Sequence, residues 1–162
     1  MNKKIIMVVI AAIVVIALII GLVIWINRDN ANIQIDINVL GERILESGAF
    51  SDELAKIDSE IVMNSYGFTS DEISSLISFQ GSGATSEEIV ILQVNDKSNL
   101  NSVKEKINTR LAERKEAFED YLPEEVFKID NHILEVKGKY VIMCISNNSN
   151  EVMDTINNYM RE

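Results

Sequence analysis

The chain has 162 residues with 15 basic and 25 acidic side chains, one histidine and one cysteine, for a net charge of −10. So acidic a surface repels phosphate backbones and argues against nucleic-acid binding, and a lone cysteine cannot close an internal disulfide. One histidine with one cysteine cannot build a zinc site and no Asp-x-Asp-x-Asp-Gly calcium loop occurs, so neither metal nor cofactor is expected.

After residues 1–4 comes an apolar run over residues 5–26, with sixteen Ile, Leu and Val and no charge. At about 1.5 Å per residue it makes a helix of roughly 33 Å, enough to cross a hydrocarbon core of about 30 Å. A cleaved secretory signal has a shorter apolar core, about 7–15 residues, followed by a small-x-small site. Leu22 to Ile26 offers no such site, and the only cysteine, Cys144, cannot serve as a lipoprotein cysteine there. The run predicts an uncleaved signal anchor in contact with the lipid bilayer. Lys3 and Lys4 precede it, whereas Arg28 stands beside Asp29 after it. The positive-inside rule then keeps the N-terminus in the cytoplasm and sends the rest outside as a single-pass membrane protein.

Residues 27–32 read as a short linker, and residues 33–162 as one extracytoplasmic domain. With Lys3 and Lys4 removed, 13 basic residues face 25 acidic ones, a net charge of −12 beyond the span. Ile37, Leu40, Ile44 and Leu45 recur at helical spacing after Asp36, a natural N-cap, and before Gly48, a natural stop. Ala49 to Ile57 reads as a connection, and Asp58 to Tyr66 as a second helix stopped by Gly67. Ile73–Phe79 and Glu88–Val94 have strand character and are joined through Gly81–Ser86. Leu100, Val103, Ile107, Leu111, Phe118 and Leu122 trace one face of a long helix. Ser98 or Asn99 is its expected cap, Ser102-x-x-Glu105 a competing capping box, and Pro123 its end. Ile133–Lys137 and Tyr140–Ile145 flank Gly138-Lys139, a two-residue hairpin turn, and Val152, Met153, Ile156 and Met160 mark a last helix. The expected order is α-α-β-β-α-β-β-α, an α+β domain with helices packed on an antiparallel sheet.

Ser47-Gly48-Ala49-Phe50 with Leu54, Tyr66-Gly67, Gly81-Ser82-Gly83-Ala84 leading to Glu88-Ile89, Phe118-x-x-Tyr121-x-Pro123-Glu124 and Gly138-Lys139-Tyr140-Val141 follow one another in this order. Together, over about Val39 to Met160, they resemble a clostridial (Firmicutes) family known as domain of unknown function 4358. The resemblance implies a Gram-positive cell envelope and an extracytoplasmic domain behind a lipoprotein signal or a membrane anchor. This chain departs from the lipoprotein version, and the resemblance transfers no catalytic residue.

Nucleophilic catalysis by Cys144 would need His132 within hydrogen-bond reach. A two-residue Gly138-Lys139 turn sets Cys144 opposite Ile133 and His132 opposite Ile145, which puts the pair on opposite faces of the hairpin. The acidic pairs Asp71-Glu72, Glu87-Glu88, Glu119-Asp120 and Glu124-Glu125 diverge on either a strand or a helix and read as solvated surface charge. Gly81-Ser82-Gly83 lacks the lysine of a phosphate loop and precedes a strand, so it reads first as a flexible turn. Its hydroxyls still make Gly81, Ser82, Gly83 and Thr85 one candidate recognition loop. Lys106, Arg110 and Arg114, spaced four apart, form a basic stripe beside the apolar face of the long helix and are a second candidate, for an acidic partner. The expected function is a non-enzymatic binding or assembly module of the cell envelope with a protein partner. The alternative is an envelope enzyme whose site is built from acidic and hydroxyl residues.

Overall fold

The computed structural model describes residues 12–21, 33–120 and 122–162. The chain divides into two compact units, Met1–Gln34 and Ile35–Glu162. In the first, residues 12–21 form a helix (α1), and every residue of it is exposed. The expected span over residues 5–26 runs past α1 at both ends, outside the described residues, as do the expected N-terminus 1–4 and linker 27–32. Among the described residues no helix is long and apolar enough to cross a membrane.

The second unit is an α+β domain around a five-stranded antiparallel sheet of order β1-β2-β3-β5-β4. Its first helix, α2 (Ile37–Leu45), starts where the Asp36 carboxylate accepts the N–H groups of Asn38 and Val39. β1 (Ala55–Ile57) follows within the stretch expected to be a connection. Asp58 caps α3 (Ser59–Tyr66), and Gly67 ends it in the left-handed conformation that only glycine adopts without strain. β2 (Ile73–Gln80) and β3 (Glu88–Val94) pair as expected.

A 3₁₀ turn, Lys97–Asn99, leads into α4 (Leu100–Glu119). The cap there is Asp96, which accepts the Ser98 N–H, while Asn99 makes no side-chain cap bond. Ser102 donates instead to Glu72, so the competing capping box does not form. The sequence misplaced Pro123. It opens α5 (Pro123–Asp130), because its missing N–H costs nothing in a first helical turn. β4 (Ile133–Lys137) and β5 (Tyr140–Ile145) then pair with Ile133 opposite Cys144 and Lys137 opposite Tyr140, the register of a two-residue turn with Gly138 at φ 64°. α6 (Ser149–Tyr159) closes the domain behind its Asn148 cap.

The register sorts the sheet into two apolar faces. On one, Ile77 and Phe79 align with Ile91 and Ile89, and these with Ile142 and Cys144. α2 packs there on β2 and β3, α6 packs on β5, and the two helices touch. α2 sits so close that a Cβ on Gly41 would lie 3.2 Å from the Phe79 ring. On the other face Val90, Leu92, Val141 and Met143 meet Val62, Val103, Ile107 and Ile129 from α3, α4 and α5. Burial on both faces explains why β3 and β5 read as almost unbroken apolar runs rather than alternating ones. The start and end of the domain meet. The Asp36 N–H donates to the Tyr159 hydroxyl at 2.9 Å, and Arg43 pairs with Glu162 at 2.8 Å while lying over the Tyr159 ring.

Candidate functional site

Polar chemistry concentrates at the end of the sheet where β2 turns into β3. The loop between them is held from below by Asp52. One of its carboxylate oxygens accepts the Ser82 N–H, the Ser82 hydroxyl and the Thr85 hydroxyl, all at 2.8–2.9 Å. These bonds, the Ser82 backbone N–H first, hold the Asp52 pKa down to about 2. A Cβ on Gly81 would meet Thr85 Oγ1 at 2.5 Å and Asp52 Oδ2 at 2.7 Å, so a larger residue there would have to push these side chains out of their hydrogen bonds. Gly83 has φ 88°. The hydroxyls of Ser82 and Thr85 in the candidate loop are thus both engaged by Asp52.

Next to this loop two carboxylates and an amine are buried together. Glu87, with 0 % exposure, accepts the Ser51 and Asp52 N–H groups, the Ser51 hydroxyl at 2.7 Å and Lys128 Nζ at 3.0 Å. Glu125 accepts the Ser86 N–H at 2.6 Å and its hydroxyl at 2.9 Å, and pairs with Lys128 at 2.9 Å. Burial opposes charge on Lys128, yet its bonds to Glu125 and Glu87 outweigh that and raise its pKa above the usual lysine value. Lys128 Nζ also lies 3.1 Å from the Ser51 hydroxyl. A lysine that holds its proton is no base for that hydroxyl, which donates to Glu87. The ammonium instead supplies the positive charge a metal ion would bring between two carboxylates.

Glu88 points to the opposite side of the strand, toward α3 and α4, and is also fully buried. Its Oε1 accepts the Tyr66 hydroxyl and the Gln80 side-chain N–H, each at 2.8 Å. Its Oε2 lies 3.6 Å from Arg114 Nε. Burial raises the Glu88 pKa, against the opposing pull of Arg114, Tyr66, Arg110 and Gln80. The expectation that Glu87, Glu88 and Glu125 are solvated surface charge is therefore corrected. Each is buried where an interior donor or cation meets it, and neighbouring carboxylates that diverge can both be buried when the sheet end is covered on both sides.

A model of a domain of unknown function (DUF4358) matches residues 46–146. The chain belongs to the DUF4358 family. No curated protein and no solved structure matches it. The DUF4358 match is narrower than the resemblance read from the motifs. It takes in all five strands and α3 to α5, with the polar network, and leaves out α2 and α6, which cover one face of the sheet.

Within this DUF4358 region the basic stripe splits. Lys106 Nζ donates to both carboxylate oxygens of Glu72 at 2.7 and 2.8 Å; burial would raise the Glu72 pKa, but these bonds, with those from Ser102 and Thr69, outweigh it and lower the value to about 2. Arg110 and Arg114 have only looser ionic contacts, to Glu113 and Glu88 at 3.6 Å each. The recognition loop and the stripe meet through Gln80, which ends β2 just before Gly81 and donates to Glu88. Cys144 is fully buried opposite Ile133, and burial pushes its thiol pKa far up. His132 Nδ1 bonds the Ile129 carbonyl at 2.7 Å. Sequence reasoning missed Asp52, Glu87, Glu125 and Lys128. The one signal available was Ser51-Asp52 before a strand, which shows its role only once the fold brings it beside Glu87.

Proposed function

We propose that this chain is a membrane-tethered, non-enzymatic binding or assembly module of a Gram-positive cell envelope. It is anchored through residues 5–26 with its N-terminus in the cytoplasm, and its domain engages a protein partner. The observation that carries this reading is the Arg110–Arg114 pair: two partly exposed guanidinium groups whose ion-pair contacts among the described residues are no shorter than 3.6 Å, on a helix packed over the sheet. The tether is supported by the apolar helix at residues 12–21, exposed on every side, a pattern that suits lipid rather than water. A non-enzymatic role is supported by the commitment of Glu87, Glu125 and Lys128 to one another and to the backbone around them.

Two measurements on the full chain in its native host test this. Protease added to intact protoplasts is expected to digest the domain and leave a small protected N-terminal fragment; a mature protein that begins beyond residue 26 would overturn the tether. A photo-crosslinking residue at the exposed Glu113, beside the arginines, is expected to capture a discrete envelope protein that the same residue at Asp154 on α6 does not. Equal capture at both positions, or none at Glu113, would overturn the binding role of this face.

A further inference from the structure

We infer that Arg110 and Arg114 form a carboxylate-binding site on α4, and that Glu88, 3.6 Å from Arg114, is the internal carboxylate with which a ligand competes. This rests on the binding-module reading and names the chemistry of its site.

Four positions apart, the two side chains leave the same face of α4, and both act electrostatically on Glu88 and Tyr66. Lys106, one turn earlier, shows what a finished pair looks like on this helix: two hydrogen-bond-length contacts to Glu72. The arginines differ. Their side chains are 27 % and 16 % exposed, yet Nε of each is buried and has no hydrogen-bond partner among the described residues. Glu88 Oε2, which faces Arg114, is in the same condition, because Tyr66 and Gln80 both hold the other oxygen. Buried donors left without acceptors cost about 1–3 kcal/mol each, more when charged, so an ion pair held open at 3.6 Å is a poor end state. It is a good receptor. A guanidinium offers a planar fork of N–H donors that matches the two oxygens of a carboxylate, and two forks one turn apart can hold one such group.

The charge of the domain sets the class of ligand. A net charge near −12 opposes a dianion more strongly than a monoanion, so a single carboxylate on a polypeptide fits better than a phosphate. Phe118, whose ring centroid lies 5.9 Å from the Arg114 guanidinium carbon, adds a cation–π contact to that side chain.

The test uses the full chain with ¹⁵N-labelled arginine in zwitterionic detergent, and follows the Nε–Hε resonances against acetate, inorganic phosphate and chloride at matched ionic strength. Acetate is expected to move Arg110 and Arg114 saturably while Arg43 and Arg161 move no more than in chloride. Arg114→Gln is expected to weaken acetate binding at Arg110 at least tenfold, and Lys106→Gln to leave it unchanged. Glu88→Gln removes the internal competitor and is expected to tighten binding severalfold; Arg110→Gln, read at Arg114, serves if that variant does not fold. A response no larger than in chloride, tighter binding of phosphate than of acetate, weaker binding in Glu88→Gln, or full binding in Arg110→Gln would overturn the inference. Acetate binding needs no partner, so a failed crosslink at Glu113 would overturn the proposed function and leave this site standing.

Discussion

Without the Lys128 ammonium, the carboxylates of Glu87 and Glu125 would share a buried space with no cation between them. Breaking a buried pair in this way costs about 3–5 kcal/mol, so Lys128→Met is expected to lower the urea midpoint sharply, and Glu87→Gln added to it to recover part of the loss. The pH profile of unfolding separates two kinds of carboxylate. Asp52, Glu72 and Glu125 have folded pKa values below their unfolded ones, so their stabilisation is present above the unfolded values, about 4, and fades as pH falls toward about 2 for Asp52 and Glu72. Glu88 has the opposite sign. It faces Tyr66 from α3, Gln80 from β2, Arg110 and Arg114 from α4, and lies within electrostatic reach of Cys144 from β5, and burial raises its pKa. Its contribution is complete below the unfolded value and is lost as pH rises through the folded one. Stability is therefore expected to peak in mild acid, and Glu88→Gln to flatten only the neutral side of that peak in urea titrations. Cys144 is expected to resist thiol reagents until the domain unfolds, and Cys144→Ala to cost about 1–2 kcal/mol as a small core truncation.

The hairpin loop of β2 and β3 allows a test at the scale of an element. Gly81→Ala is expected to be the more damaging glycine change, since its Cβ would collide with Thr85 and Asp52, whereas Gly83→Ala strains only a positive φ for about 1–2 kcal/mol. Ser82→Ala and Thr85→Ala each remove one donor to Asp52 and are expected to cost about 0.5–1.5 kcal/mol in thermal unfolding. The elements that could be read from the chain were those with local punctuation. Asp36 and Asp58 cap their helices, Gly67 terminates the second of them, Gly48 follows two residues after the Glu46 cap of the first, and Gly138-Lys139 sets the hairpin register. α5 was hidden because Pro123 can equally stop one helix or open the next. β1 was hidden because three residues with only one inward side chain carry no period. The buried charges were hidden for a different reason: Glu87 meets Ser51, and Glu125 meets Ser86, across 36 and 39 residues of chain. No local pattern encodes such a meeting.

At the scale of the molecule, the DUF4358 match of residues 46–146 and the folded unit Ile35–Glu162 do not coincide. A chain cut to 46–146 keeps every strand but uncovers Ile77, Phe79, Ile89, Ile91 and Ile142 on the face that α2 and α6 shield. It is expected to bind a hydrophobic dye and aggregate, while residues 33–162 remain soluble, unfold in one cooperative step and keep their melting temperature in chelator or reductant. The junction of Asp36 and Arg43 with Tyr159 and Glu162 also decides how the domain answers a pull. Tension applied between residue 35 and residue 162 meets two helices clipped together by one hydrogen bond, one ion pair and the Arg43–Tyr159 ring contact. Stretching between the two ends should peel α2 from α6 at low force first and strain the sheet only afterwards, so a load on one end would register as the loss of a helix pair.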